Sequence, residues 1–580
     1  MDRARVSSIL EEIALLLELR GENPFKARAF QNAARTILSL TEDLDALVAA
    51  SRLGELKGIG KALEEKISTL VTTGSLPYYE DLKREVPPGL LEMIKVPGLG
   101  PKRARQVHEL LGVDSLAALE YACRENRLAS MAGFGEKTQE KILKGIEFLR
   151  RNLGRFLLSE ATVRGRELLA FLERHADVVR AEIAGSLRRR KEVIGDLDLV
   201  ASSAAPARVI SAFTKMDGVE AILGAGETKA MVRLASGLQV DLRVVDDAAF
   251  PFALHYFTGS KAHNIAMRRR AESARYRLRL NEYGLFRGEG EAAPGIPCAD
   301  EEAIFRELGL PYIAPELRED AGEIEAAERG ELPRLIERPD LKGIFHVHSN
   351  WSDGRATLEE MVRGAAALGY GYVGLSDHSR SAGYARGLKE PDVLKQRSEI
   401  EALRSRVPAI RILHGIESDI LADGALDYPD ELLRQFDFVI GSVHSGFTMT
   451  EEEMTKRVVR AVENPFLTIL GHPTGRLLLG REAFRIDLDA VIDAAARSGA
   501  AIEINANPHR LDFDPLRARQ ARASGVLLSI NPDAHDVGGL SDVEYGVDTA
   551  RRAWLTAEDV LNARPWEEIA QIQDRRRAKG

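Results

Sequence analysis

Apolar side chains along the first 150 residues recur at intervals of three and four, the spacing of one face of an α-helix. Strand signals are few here, so a helical region is predicted. The first segment, MDRARVSSILEEIALLLELRGENP, intersperses acidic and basic residues among its apolar positions. That mixture predicts an amphipathic helix rather than a secretory signal peptide.

A short pattern occurs three times in this region: Gly-apolar-Gly, followed by a lysine-containing helix. The copies lie at residues 56–67 (LKGIGKALEEKI), 96–107 (VPGLGPKRARQV) and 131–142 (MAGFGEKTQEKI). Such a turn leaves backbone N–H groups free at a helix N-terminus, where they can bind a DNA phosphate. Plain helix connections are the alternative, but three copies favour DNA binding. The candidate residues are Gly58, Gly60, Gly98, Gly100, Gly133 and Gly135.

The pattern changes between residues 155 and 245. A helix predicted over residues 158–175 is followed by the strand-like runs VVRAEIA, DLDLVAS, MVRLAS and LQVDLRVV. This order predicts a small sheet with helices packed on it. Residues 250–315 are mixed, and residues 319–341 are polar and charged, which predicts a linker.

Beyond the predicted linker, short apolar runs alternate with helical patterns over about 230 residues. The runs are GYVGLSDH, RILHGIES, FDFVIGSVH, FLTILGHP, AAIEINANP and VLLSINPDAH. Alternating strands and helices favour a barrel-like α/β domain.

Composition narrows the picture. A chain of 580 residues predicts several domains, and we find no apolar run long enough to cross a membrane. Two cysteines exclude a disulfide framework and suit a reducing cytoplasm. The net charge is −9, yet residues 256–280 are locally basic, and eight of the twelve histidines follow residue 340. Two chemically different sites are therefore expected.

Three aspartates mark the first expected site. Asp196 and Asp198 are two apart on a predicted strand, so their carboxylates share a face, and Asp241 lies in a second strand. Clustered carboxylates suit two divalent cations about 3.5–4 Å apart, the arrangement for phosphoryl transfer. A solvated strand edge is the alternative. The Gly185-Ser186 turn and the following basic residues favour phosphate chemistry.

Metal-ligand side chains that follow the apolar runs mark the second expected site. They should meet at the C-terminal mouth of a barrel, where the alternative is a scatter of unrelated histidines. The set is His346, His348, Asp353, His378, Glu417, His444, His472, Asp533 and His535. Asn505, Asn507 and His509 are close in sequence and are candidates for substrate contact.

The GS turn, the D-x-D pair, the third aspartate and YFTGSKAHNIAMRRRAE (residues 256–272) resemble the X-family DNA polymerases, the family of DNA polymerase beta. The resemblance covers residues 1–315 and implies an α+β nucleotidyltransferase palm and thumb. It implies that Asp196 and Asp198 bind Mg²⁺ or Mn²⁺ and that Asp241 assists the primer 3′-OH. The implied nucleotide-binding residues are Gly185, Ser186, Arg189, Tyr256, Phe257, Gly259, Asn264 and Arg268.

Within that set, the resemblance implies that Ser186 and Arg189 contact the triphosphate and that Tyr256 and Phe257 lie against the sugar. It implies that Asn264 contacts the base in the minor groove and that Arg268 contacts the template strand.

The glycine repeats resemble the helix–hairpin–helix elements of the same family. Lys66 falls where some members carry a Schiff-base lysine that removes a 5′-deoxyribose phosphate. The sequence departs from the pattern nearby, with Phe30 at a common tyrosine position and Ala62 at a common lysine position. Lys66 is thus a candidate nucleophile, although the departures favour an ordinary helix-surface lysine.

The histidine-rich set resembles the PHP (polymerase and histidinol phosphatase) domain over residues 341–575. By that resemblance, His346, His348, Glu417 and Asp533 hold one metal. Glu417 bridges to a second, held with His444 and His472, while Asp353, His378 and His535 hold a third. Imidazole and carboxylate ligands suit Mn²⁺, Zn²⁺ or Fe.

The expected organisation is a multi-domain chain with a distorted α/β barrel at its end. The expected domains are 1–80 (helical, lyase-like), 81–154 (fingers), 155–245 (palm), 246–315 (thumb), 316–340 (linker) and 341–575 (PHP). The expected function is gap filling in base-excision or similar repair, with a 3′–5′ exonuclease, acting as a monomer on gapped or nicked DNA with dNTPs and without a membrane. A small-molecule phosphatase tethered to DNA and a non-catalytic DNA-binding scaffold are the alternatives.

Overall fold

The structure is a computed structural model that describes residues 3–38, 40, 42–56, 58–129, 131, 133–152, 154–288 and 294–578. Two compact units make up the chain, Met1–Leu153 and Gly154–Gly580. None of the described helices is long and apolar enough to cross a bilayer. Cys123 and Cys298 are both buried and unbonded to each other.

The first unit is helical, as its spacing predicts. Its helices are Arg3–Arg20, Pro24–Leu38, Leu44–Ala49, Lys61–Thr73, Pro77–Glu85, Pro88–Met93, Pro101–Leu111, Leu116–Arg124 and Gly135–Asn152. One hydrophobic cluster runs from Val6 to Ile146, across both of the domains expected in this region.

Each Gly-x-Gly pair opens a helix in this unit. Gly58, Gly98 and Gly133 have φ values of 89°, 92° and 86°, which a glycine adopts without strain. Gly60 and Gly100 cap the following helices, so the first N–H groups of those helices have no partner within the helix. Residues 57 and 132, within the first and third repeats, lie outside the described residues.

The second unit begins with a five-stranded sheet. Its order is Arg180–Ile183, Asp196–Ser202, Gln239–Val245, Lys229–Leu234 and Val219–Ala225. The pairs are antiparallel except for Asp196–Ser202 with Gln239–Val245, which run parallel. Val219–Ala225, a half-exposed edge strand, is absent from the predicted runs. The helices Leu158–Glu173 and Pro206–Thr214 cover one face.

The helices Phe250–Thr258, Lys261–Glu272 and Glu301–Glu307 pack with a three-stranded antiparallel sheet. Its strands are Leu278–Asn281, Gly284–Arg287 and Gly295–Ile296. The segment predicted as a linker contributes the helix Glu323–Arg329 and buries Leu317, Ile324 and Leu335 in the same core. It is a packed connection, because these apolar side chains and Glu323 are buried.

Seven parallel strands in sequence order form the last sheet. They are Gly343–Val347, Tyr372–Leu375, Arg411–Asp419, Phe438–Ser442, Ile469–Leu470, Ala501–Asn505 and Leu528–Asn531. A bridge between Val347 and Ala534 joins the two edges, so the sheet is a nearly closed barrel. The strands are buried except at Arg411, as is usual for parallel strands.

Helices surround this barrel and close one end. The surrounding helices include Leu358–Ala367, Glu390–Arg406, Glu451–Val462, Leu488–Ser498, Pro515–Ala523 and Val543–Arg552. Ile569 of the C-terminal helix Trp566–Arg577 packs on Tyr372 and Phe438, where strands begin. The opposite, C-terminal end of the barrel therefore remains available for a site.

The barrel and the five-stranded sheet share a hydrophobic interface. Leu511, fully buried, joins the core of the five-stranded sheet, and Leu478 and Tyr545 pack against that core. Both sheets therefore belong to one compact unit.

Candidate active sites

The first candidate site, called here the aspartate site, comprises Asp196, Asp198 and Asp241. Asp198 and Asp241 are direct partners in the parallel register of two adjacent strands, and Asp196 lies two residues earlier. Burial, and then the charges of Asp196 and Asp241, raise the pKa of Asp198 to about 7. Three carboxylates this close favour a bound cation, which would remove their mutual repulsion.

The turn at Gly185 closes over the aspartate site. Gly185 has a φ of 61°, and a Cβ there would collide with the Asp198 carboxylate. Ser186 Oγ and Asp241 Oδ1 are buried without a hydrogen-bond partner among the described residues. Unpartnered oxygens beside clustered carboxylates fit Mg²⁺ or Mn²⁺ and a phosphate group.

The three arginines that follow the turn are paired with acids from three different segments. Arg188 Nη2 lies 2.7 Å from Glu301, and Arg189 Nε lies 3.0 Å from Glu319. Arg190 Nε lies 3.5 Å from Asp548, which belongs to a helix of the barrel domain.

The other residues implied in nucleotide binding lie on two consecutive helices. The rings of Tyr256 and Phe257 are half-buried, with centroids 5.2 Å apart, edge to face. Asn264 Nδ2 donates to the Tyr256 carbonyl at 2.6 Å, and Gly259 leaves the space that the Asn264 side chain occupies. Arg268 is exposed on its helix.

The second candidate site, called here the histidine site, lies at the C-terminal end of the barrel strands. Glu417 is its centre, with five imidazoles whose nearest nitrogens lie 2.8–3.7 Å from its carboxylate oxygens. Two ligands of one ion with bonds near 2.1 Å lie about 3 Å apart, so these separations fit shared metals. The five histidines are His346, His348, His378, His444 and His472.

Four overlapping groups within the histidine site bring ligand atoms within 4.8 Å of one another. The groups are His348, Asp353, His378 and His535; His346, Glu417 and His472; His346, His348 and Asp533; and His378, Glu417 and His444. All nine residues from the sequence pattern therefore lie together, although His472 groups with His346 rather than with His444. Nε2 of His346 and both ring nitrogens of His348 are buried without hydrogen-bond partners, as expected for metal ligands.

Three of the candidate ligand residues have a strained backbone. His346, His472 and Asp533 have φ values of 58°, 23° and 52°, in the left-handed region that non-glycine residues avoid. Strain of this kind persists where the surrounding structure enforces it, and it concentrates at functional sites.

Carboxylates behind the histidines orient the rings. Glu503 Oε1 lies 2.6 Å from Nδ1 of His346, and Asp419 Oδ1 lies 2.6 Å from Nδ1 of His444. Although burial lowers it, Glu503, Asp533 and Glu417 raise the pKa of His346 well above its usual value. A carboxylate on one ring nitrogen leaves the other free to bind a metal.

Arg510 is a site residue that the sequence pattern did not identify. Its Nε lies 3.4 Å from Asp533 Oδ2, and its Nη1 is buried without a partner among the described residues. This leaves a cation beside the metal ligands that can bind a phosphate oxygen. Asn505 also donates to Asp533, at 3.1 Å, whereas His509 is exposed. Arg510 ends the run EINANPHR and directly follows His509, the last of the three candidates for substrate contact in that run.

Lys66 lies in the first unit, on the helix Lys61–Thr73. Its Nζ is 5.1 Å from the centroid of the Tyr78 ring, and Nζ of Lys26 is 5.5 Å from the same centroid. Tyr78 stacks on Phe30 at 6.0 Å. The two lysines thus face one aromatic ring, and Lys26 also pairs with Glu22 at 3.3 Å.

Four family models match the chain. They are a helix-hairpin-helix domain at residues 1–76, a SAM-like helix-hairpin-helix tandem at 90–147, the DNA polymerase beta thumb at 253–319 and the PHP domain at 345–507.

Similar curated proteins include a polymerase/exonuclease and probable phosphatases. The DNA polymerase/3′-5′ exonuclease PolX of Bacillus subtilis is 37% identical over 571 residues, covering 98% of this chain and 99% of that protein. A probable phosphatase of Thermoanaerobacter sp. (strain X514) is 28% identical, covering 38% of this chain and 91% of that protein. A probable phosphatase of Caldanaerobacter subterraneus is 26% identical, covering 42% of this chain and 96% of that protein.

Proposed function

The chain belongs to the family of the DNA polymerase/3′-5′ exonuclease PolX, the X-family polymerases that carry a PHP domain, and we propose that it fills short gaps during DNA repair and trims 3′ ends. The observation that carries this proposal is that one chain holds two separate clusters of candidate metal ligands, the aspartate site and the histidine site. The membership agrees with the predicted fold class: a helix–hairpin–helix region, a polymerase core and a barrel-like PHP domain.

At the aspartate site, Asp196 and Asp198 would hold Mg²⁺ or Mn²⁺, and Asp241 would accept the proton of the primer 3′-OH. Ser186 and Arg189 would bind the triphosphate of a dNTP. Tyr256 and Phe257 would lie against the sugar, Asn264 would contact the base and Arg268 would contact the template strand. The unpartnered Ser186 Oγ and Asp241 Oδ1 support these roles.

At the histidine site, the nine grouped residues would hold Mn²⁺, Zn²⁺ or Fe. Divalent cations at both sites would neutralise phosphate oxygens and activate the attacking oxygen. Arg510 would bind a non-bridging oxygen of the scissile phosphate, and Glu503 and Asp419 would keep His346 and His444 oriented. Gapped DNA would be held through backbone N–H groups at the Gly-x-Gly turns.

Hydrolysis of a small-molecule phosphate is the second candidate function, because relatives that match about two fifths of the chain are named probable phosphatases. The 98% coverage by a polymerase/exonuclease relative favours action on DNA instead. The two functions differ in substrate: release of nucleotides from a labelled 3′ end supports the nuclease, and release of phosphate from small monoesters alone supports the phosphatase.

Two variants, assayed on one-nucleotide gapped DNA, test the proposal. Asp198→Ala should abolish nucleotide addition and leave hydrolysis largely intact, because the cation ligands of the aspartate site are lost. Glu417→Ala should lower hydrolysis at least about a hundredfold and lower the bound transition metal, measured by mass spectrometry, while addition continues. Normal addition by Asp198→Ala would contradict the polymerase assignment of the aspartate site.

A lyase step at Lys66 is a further part of the proposal. The position of Lys66 and Lys26 beside the Tyr78 ring supports this step, because it brings a second cation close to Lys66. Borohydride should trap wild-type protein on a 5′-deoxyribose phosphate end, and Lys66→Ala should not be trapped. Equal trapping of Lys66→Ala and wild type would exclude Lys66 as the nucleophile.

A further inference from the structure

An exposed aromatic ring lies at the rim of the histidine site. Tyr384 is 68% exposed, and its ring centroid is 5.9 Å from that of His378 and 6.1 Å from that of His444. Among the described residues from 341 to 578, no other tyrosine, phenylalanine or tryptophan is exposed. Aromatic rings are usually buried because each carries a large apolar area, so exposure beside metal ligands points to a binding role.

The loop that carries Tyr384 is fixed to the ligand residues themselves. Residues 378–388 form a closed loop, in which the backbone N–H of Leu388 donates to the His378 carbonyl at 2.8 Å. Ser381 Oγ donates to Asp419, the partner of His444, at 3.0 Å. Arg386 donates to the carbonyl of Ser352, the residue before Asp353. Each tie links the loop to a different ligand-bearing segment.

Buried residues flank the tyrosine in the same loop. Ala382, which precedes the short helix Gly383–Ala385, and Ala385, which ends it, are both buried. A Cβ at Gly387 would collide with the Ser379 carbonyl, so the chain could not pass with a larger residue there. The structure therefore holds the Tyr384 backbone in place and leaves its ring bare. Such a ring loses little conformational entropy when it binds a flat ligand.

We infer that Tyr384 is the stacking platform for a nucleobase that adjoins the scissile phosphodiester at the histidine site. This rests on the proposed nuclease function and specifies its substrate as a base-bearing strand. A phosphate bound at this site beside Arg510 would leave the attached nucleoside within reach of the Tyr384 ring, whose centroid lies about 6 Å from those of His378 and His444. Stacking on an aromatic residue tolerates every base, because each has a π-face.

Removal of the ring should weaken binding of the strand and leave the chemistry intact. Tyr384→Ala should raise KM for 3′-end hydrolysis about 5- to 100-fold, the range for loss of one base–aromatic stack, with a smaller change in kcat. Tyr384→Phe keeps the ring and should behave as wild type. Leu516→Ala removes an equally exposed apolar side chain elsewhere on the domain and serves as the matched control. Bound metal should be unchanged in all three variants.

Abasic oligonucleotides separate a stacking role from a structural one. Wild type and Tyr384→Ala should hydrolyse equally a strand that lacks the base at one of the two nucleotides flanking the scissile phosphate. The inference would be overturned if Tyr384→Ala remained defective on both abasic strands, each tested separately, since no base would then be involved. Loss of metal from Tyr384→Ala would also overturn it.

A binding measurement distinguishes failure of this inference from failure of the nuclease proposal. An oligonucleotide with 2-aminopurine at its 3′ end and a hydrolysis-resistant terminal linkage should be quenched by metal-loaded wild type and by Tyr384→Phe, and less by Tyr384→Ala. Binding without Tyr384-dependent quenching would overturn the inference. Tyr384-dependent quenching without hydrolysis by the metal-loaded wild type would support the stacking role and contradict the nuclease proposal.

Discussion

Arg476 Nη2 lies 2.6 Å from Glu192 Oε1, and this ion pair joins the barrel domain to the segment that leads into the strand Asp196–Ser202. Glu192 precedes Asp196 of the aspartate site by four residues, and Arg476 follows His472 of the histidine site by four. The two sites are therefore connected through a short, largely buried contact, although the sequence predicts them in domains separated by a linker. Arg476 also donates to the carbonyls of Arg510 and Leu511, so it holds the Arg510 loop.

The first prediction concerns this contact. Arg476→Met should lower stability by roughly 1–3 kcal/mol, because it leaves Glu192 partly buried without its partner. It should reduce 3′-end hydrolysis more than nucleotide addition, since it also releases the Arg510 loop. Urea unfolding of Arg476→Met, Glu192→Gln and the double variant gives the coupling energy. Additive effects of the two substitutions would show that the ion pair contributes nothing.

The second prediction concerns the pH dependence of stability without metal. The folded-state pKa of Asp198 is raised to about 7, so its favourable protonated form is lost as the pH rises through that value. Metal-free wild type should therefore lose stability between pH 5 and pH 8, by at most about 3 kcal/mol. Asp198→Asn should lose less stability over this pH range. Mg²⁺ should restore the stability of wild type more than that of the variant.

Thermal unfolding in EDTA measures this effect, with Asp217→Asn as the control, because Asp217 is exposed on the same domain. A melting-temperature difference between Asp198→Asn and wild type that is the same at pH 5 and pH 8 would contradict the assigned pKa shift.

Much of the histidine site was predictable because its ligands follow a simple rule. Most of them lie near the C-terminal end of an apolar strand or shortly after it, and the C-terminal ends of parallel strands meet at one edge. The identity of the orienting groups was not predictable. Glu503 is buried in the middle of a strand, and its partner His346 is more than 150 residues away in sequence. Local patterns do not contain such pairings.

The segment at residues 319–341 is one whose packing the sequence pattern does not predict. Its charges predict a solvated linker, yet Glu323 is fully buried and lies 2.6 Å from Nδ1 of His263. A buried charge with a partner has the same sequence signature as an exposed one. The edge strand Val219–Ala225 was missed for a related reason, because a half-exposed strand lacks a clear apolar run.

The third prediction concerns Glu319, which lies 3.0 Å from Arg189 Nε and 3.5 Å from Lys191 Nζ. If Arg189 binds the triphosphate, the Glu319 carboxylate competes for the same cation. Glu319→Gln should therefore lower KM for dNTPs several-fold with little change in kcat. Steady-state kinetics on gapped DNA tests this, with the exposed Asp320→Asn as the neighbouring control. A raised KM would instead show that Glu319 orients Arg189 for binding.

The fourth prediction concerns Glu503, whose two oxygens are fully used inside the barrel. Oε1 faces Nδ1 of His346 at 2.6 Å and accepts from Asn531 at 2.9 Å, while Oε2 accepts from the His472 backbone at 2.7 Å and from Asn505 at 3.1 Å. Glu503→Gln removes the negative charge that holds the proton on Nδ1 of His346. Nε2 of His346 is then less available as a ligand.

Metal affinity of Glu503→Gln should fall about 10- to 100-fold, the usual effect of losing a carboxylate behind a ligating histidine. Competition with a chromogenic chelator measures that affinity, and the exposed Asp493→Asn on a surrounding helix is the control. Hydrolysis should fall at limiting metal and recover in excess metal, because every direct ligand is still present. Nucleotide addition should be unchanged. Hydrolysis that excess metal fails to restore would mean that Glu503 supports the barrel rather than the orientation of His346.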